Sequence, residues 1–83
     1  MQDLNLIRER IDRIDSDISK LLLERMEASA DVAEYKRLTG KPIYDPERER
    51  ANIVAASQRV PPELAAYAAS IQSILMEQRS GIS

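Results

Sequence analysis

The chain contains no cysteine and no histidine. The first absence rules out disulfide staples and thiolate metal sites. The second removes imidazole acid–base chemistry and leaves only carboxylates as zinc ligands. Phenylalanine and tryptophan are missing too, and no stretch alternates polar with apolar residues, so strands are poorly supported. There are only two glycines and no glycine-rich loop, which argues against a phosphate cradle. Apolar runs are short, so no membrane span is expected. The N-terminal MQDLNL lacks the basic and apolar regions of a secretory signal. Nor is there an excess of positive charge: 12 Lys+Arg face 14 Asp+Glu, a net charge of −2 that disfavours a nucleic-acid partner. These absences leave a cytoplasmic protein that uses no metal and no cofactor as the expectation.

What is present points to a helical protein. The 83 residues suffice for one small domain, 1–83, and 43% hydrophobic with 31% charged residues is a globular composition. Gly40, Pro42 and Pro46 bracket one break and Pro61–Pro62 mark another. The segments between them predict an all-α fold of three helices, roughly 4–38, 46–59 and 62–80.

The first segment carries the strongest periodicity. Leu4, Ile7, Ile11, Ile14, Ile18 and Leu21 recur at spacings of three and four, and the register continues through Arg25, Ala28, Val32 and Tyr35. A helix of this length measures ~52 Å. The second segment opens with Asp45 as N-cap, Pro46 at the first helical position and Glu47 in the first turn. Its body, Ala51 to Ala56, is mildly apolar. The third places Leu64, Tyr67, Ala68, Ile71, Ile74, Leu75 and Gln78 on one face, with Gly81 as its expected stop. One long helix with two short partners makes a thin core. A second copy covering the seam would remedy this, so an intertwined homodimer built around the long helices is expected.

No nucleophile–base pair is evident. Cations stand out instead. Arg25 occupies a seam position that calls for Leu or Ile, and Lys36 lies eleven residues on, about three turns, so the two point the same way ~16 Å apart. A small anion would fit between them. The competing reading of Arg25 is a snorkelling side chain, or an ion pair with Glu24 or Glu27 of a neighbouring helix. Arg8 precedes Arg25 by seventeen residues, ~26 Å along the helix and rotated by ~100°. The pair cannot readily clasp one ligand within a chain, whereas an antiparallel partner helix would bring the second copy's Arg8 to Arg25. Alone, Arg8 reads as solvated surface, as do Arg10 and Arg13. In the stretch from Pro42 to Glu49, Arg48 adds charge at a helix N-terminus already favourable to anions. The plainer reading is that Asp45 caps and Arg48 and Glu49 are surface ions. A metal site from Asp45, Glu47 and Glu49 is disfavoured, because acidic residues in a first turn usually serve the helix dipole.

Taken in order, Ile7-Arg8-Glu9-Arg10-Ile11-Asp12-Arg13-Ile14-Asp15, Leu21-Leu22-Leu23-Glu24-Arg25, Val32-Ala33-Glu34-Tyr35-Lys36 and Pro42-Ile43-Tyr44-Asp45-Pro46-Glu47-Arg48-Glu49 resemble the all-helical chorismate mutases. The segment Pro62-Glu63-Leu64-Ala65-Ala66-Tyr67, followed by Leu75-Met76-Glu77, is similar to the mutase domains that open bifunctional mutase–prephenate dehydratases. The resemblance implies an intertwined dimer of three-helix protomers with shared active sites, a fused prephenate dehydratase domain in the full-length protein, and Claisen rearrangement of chorismate to prephenate on the route to phenylalanine and tyrosine. It implies that Arg8 reaches into the partner's site to bind one substrate carboxylate, Arg25 holds the other, and Lys36 donates to the ether oxygen. Asp45, Arg48 and Glu49 match positions around the ring hydroxyl, and Val32 matches an apolar wall. The family's third helix carries a Ser and, four residues later, a Gln. Alignment on Tyr67 and Met76-Glu77 puts Arg79 and Ser83 there, while a shifted register uses Ile74 and Gln78. Two other readings fit the same pattern: an isochorismate–pyruvate lyase, and a non-catalytic helical dimerisation or regulatory module.

Overall fold

Helix formation begins at Asp3, whose extended backbone leaves its side chain free to accept the Asn5 N–H at 3.1 Å. From there α1 runs unbroken over Leu4–Thr39. Gly40 ends it at φ 72°, a left-handed conformation that glycine adopts without a Cβ penalty, and its N–H donates to the Lys36 carbonyl at 2.8 Å. Lys36 and Arg37 in the last turn oppose the negative end of the helix dipole. The computed structural model describes residues 3–41 and 45–82, with side chains through residue 76.

The second helix, α2, spans Pro46–Gln58. Pro61 and Pro62 then force a change of course. Pro61 is extended, and Pro62–Leu64 form a single 3-10 turn before α3 begins at Ala65 and runs to Ile82. The third helix therefore starts three residues later than its sequence suggests. It also passes through Gly81, which the sequence marks as a stop: one glycine in a helix costs only about 1 kcal/mol relative to alanine, too little to end it.

The short helices pack on each other, and the long one stands largely apart. On α2 the covered side comprises Glu49, Asn52, Ile53, Ala56 and Ser57. On α3 it comprises Ala65, Ala68, Ala69, Gln72, Leu75 and Met76, and small residues there let the backbones approach. The single expected face of α3 is thus two faces. Ala68 and Leu75 turn inward, whereas Leu64, Tyr67, Ile71 and Ile74 remain exposed.

Among the described residues only Ala56 and Met76 are buried, at 7% and 5% exposure. Along α1 the seam residues Ile11, Ile14, Ile18 and Leu21 keep between 43% and 62% of their surface in water. The radius of gyration is 16.4 Å, against about 12 Å for a compact chain of this length. The accessible surface is 6941 Å², against about 5,000 Å² for a compact monomer of this mass. Among the described residues there is no strand, and no helix is long and apolar enough to cross a membrane.

Candidate active site

Three of the expected site residues share one line on α1. Arg25, Val32 and Lys36 fall within about 40° of each other around the axis, and Arg25 and Lys36 are ~16 Å apart along it. Arg25 is half-buried where α1 meets α3, and its Nη1 donates to the Leu75 carbonyl at 3.5 Å. That partner is a backbone atom, and among the described residues no carboxylate pairs with Arg25. The contact is long and engages one of five guanidinium donors, leaving the fork available to a carboxylate.

Lys36 and Val32 are exposed, and Arg8 is exposed at the far end of the same helix. Among the described residues none of Arg8, Arg25 and Lys36 takes part in an ion pair. The one ion pair on α1 joins Arg37 to Glu34, with Arg37 Nε donating to Glu34 Oε2 at 3.0 Å and Nη2 to Oε1. The Arg37 guanidinium holds the Glu34 carboxyl below its ordinary value, and Glu34 raises Arg37 in turn. Both side chains are in open water, so the pair adds little to stability. Its importance is directional, because it lies about 130° around the helix from Lys36 and leaves that ammonium uncommitted.

Close in sequence beyond Lys36, α2 opens with its N–H groups unpaired by helix carbonyls, a place that favours negative charge. Asp45 Oδ1 accepts from Glu47 N at 3.1 Å and from Arg48 N at 3.2 Å. Its Oδ2 has no partner among the described residues, so a single carboxylate can cap the helix and still accept from a ligand hydroxyl. Arg48 is exposed and Glu49 half-buried in the same turn. Asp45→Ala is expected to cost about 1 kcal/mol and lower the melting temperature by several degrees. Asp45→Asn, which keeps an acceptor, should melt close to the parent. Thermal unfolding followed by circular dichroism checks both.

Ser83 lies outside the described residues, as do the side chains of Gln78 and Arg79 and the whole of Pro42–Tyr44. One chain therefore brings Arg25, Val32 and Lys36 into line, with the first turn of α2 following α1 in sequence. It does not bring Arg8 to them. The Leu75 carbonyl gives no signal in the sequence, because a backbone acceptor carries no residue signature.

The profile of the family described as chorismate mutase type II matches residues 7–78. A chorismate mutase of Methanocaldococcus jannaschii is 50% identical over 50 residues, which cover 60% of this chain and 50% of that protein. The T-protein of Enterobacter agglomerans is 40% identical over 68 residues, 75% of this chain but 18% of the relative. A bifunctional chorismate mutase/prephenate dehydratase of Aquifex aeolicus is 44% identical over 50 residues, 60% of this chain and 14% of the relative. The chain thus spans about half the length of the first relative and under a fifth of the other two. No solved structure shows a significant match.

Proposed function

The chain belongs to the type II chorismate mutase family, and from that premise we propose that it rearranges chorismate to prephenate in the cytoplasm, as a homodimer whose two sites each draw on both chains. The observation that carries this reading is the line of two cations on α1 that enter no ion pair among the described residues, Arg25 and Lys36, about 16 Å apart with Val32 between them. The reaction is intramolecular. One carbon–oxygen bond breaks, one carbon–carbon bond forms, and no proton, electron pair or group leaves the molecule. It calls for a dianion held in a reactive fold and for positive charge where the ether oxygen gains electron density.

Guanidinium forks suit the first task because they bind carboxylates bidentately. Arg25 holds one carboxylate and the partner's copy of Arg8 the other, which supplies orientation. Lys36 stabilises the ether oxygen in a site that the second chain closes to water. Asp45, through its free oxygen, and Glu49 receive the ring hydroxyl, Arg48 adds charge, and Val32 forms an apolar wall. The second donor to the ether oxygen comes from the end of α3, as Arg79 with Ser83 or as Gln78. Accelerations at the low end of the enzymatic range require about 8 kcal/mol, within reach of a few charge-assisted donors and confinement.

The surface supports the second chain. The chain exposes about 1,900 Å² more than a compact monomer would, an amount on the scale of a stable interface, and much of it is the apolar seam of α1. Arg8 lies near the N-terminal end of that seam, and an antiparallel partner would deliver its own copy of that side chain to Arg25. The Aquifex aeolicus relative motivates the further proposal that the full-length protein carries a prephenate dehydratase domain. Incubation of the purified chain with chorismate should consume it and yield prephenate. Intact chorismate, or conversion of isochorismate to salicylate in its place, would overturn the reading.

A further inference from the structure

Between the two cations on α1 stands a hydroxyl that none of the roles above uses. Ser29 is one turn beyond Arg25 and two turns before Lys36, ~6 and ~10 Å along the axis, and within about 40° of both around it. Like Arg25 and Met26 it is half-buried, and Arg25 in this stretch reaches α3 through the Leu75 carbonyl.

Half-burial without a hydrogen-bond partner sets it apart. A helical hydroxyl without water at hand can close onto a carbonyl three or four residues back. Ser19 does so to Asp15 at 3.1 Å, Thr39 to Tyr35 at 2.8 Å and Ser57 to Val54 at 2.7 Å. Ser29 has no hydrogen-bond partner among the described residues. Ser16, Ser70 and Ser73 also lack one, but they are exposed, where water serves. The Ser29 oxygen is not sealed away either, since no buried side-chain oxygen or nitrogen among the described residues is left unpaired. It is a half-buried donor without a protein partner, still reached by solvent, on the line between Arg25 and Lys36.

We propose that Ser29 is a further substrate-contacting residue, its hydroxyl donating a hydrogen bond to the carboxylate that Arg25 holds. The inference rests on the mutase reading of this site. The carboxylate, rather than the ether oxygen, is assigned because Ser29 is one turn from Arg25 and almost two from Lys36. A carboxylate keeps its charge through the rearrangement, so this bond strengthens substrate and transition state alike and acts on KM rather than kcat.

The test is steady-state kinetics with chorismate for the parent, Ser29→Ala and Ser29→Thr, with helicity monitored by circular dichroism. Ser29→Ala should raise KM about tenfold at nearly constant kcat, as expected for loss of one hydrogen bond to a charged group. Ser29→Thr, which keeps the hydroxyl, should recover most of the loss. Alanine is the better helix former, so the Ala variant should remain folded. Parental kinetics in Ser29→Ala would overturn the inference. So would equal impairment of both variants, which would implicate side-chain size, or a fall in kcat at constant KM. If the parent itself leaves chorismate intact, the mutase reading falls first, an outcome distinct from an active parent with an indifferent Ser29→Ala.

Discussion

Lys36→Ala should cut chorismate turnover by about a thousandfold, the upper end of what one preorganised donor contributes to a developing negative charge. The loss should appear in kcat, because the ether oxygen gains charge only as its bond to carbon breaks. The fold should be unaffected. Lys36 is exposed, and its side chain enters no ion pair among the described residues. Its backbone carbonyl, which accepts the Gly40 N–H, survives the substitution, and Arg37 still opposes the helix dipole. Alanine also favours the helix. Circular dichroism of the variant should therefore match the parent while turnover collapses. Parental turnover would remove Lys36 from the reaction, and joint loss of helicity and turnover would make its role structural.

Much of this architecture is legible in the residues. The seam from Leu4 to Tyr35 specifies one long helix because spacings of three and four are sustained without Pro or Gly, and Gly40 then supplies the left-handed residue that ends it. Asp45 and Pro46 announce the start of α2 because side-chain acceptor and fixed φ are local properties. The line Arg25–Val32–Lys36 follows from helical geometry alone.

The parts that were not legible depend on contacts between elements. Sequence patterning favours large apolar residues as core, and so gathers Leu64, Tyr67, Ile71 and Ile74 with Ala68 and Leu75. The α2–α3 contact is closed instead by a side rich in alanine, whose weak hydrophobic signal hides its value in close packing. The start of α3 was displaced by a pair of prolines that close a tight 3-10 turn first. The partner of Arg25 is a carbonyl on a helix fifty residues away, set by how α3 lies on α1.

The proposal that sites span two chains rests on a constraint within one. Because α1 is unbroken, Arg8 and Arg25 stay ~26 Å apart and point ~100° away from each other, so one chain cannot close both on a single small dianion. On the proposed reading each site takes Arg25 from one chain and Arg8 from the other. Arg8→Ala chains should be inactive when alone, since both sites lack the incoming arginine. Arg25→Ala chains should be inactive for the complementary reason.

Mixing the two tests the central claim most directly. After dissociation and reassociation in equal amounts, half of the dimers should be mixed, and each should carry one site lacking both arginines and one with both. The account predicts that chorismate turnover rises from near zero to about a quarter of the parental value. Activity that stays at the level of the separate variants, although mixed dimers have formed, would contradict it.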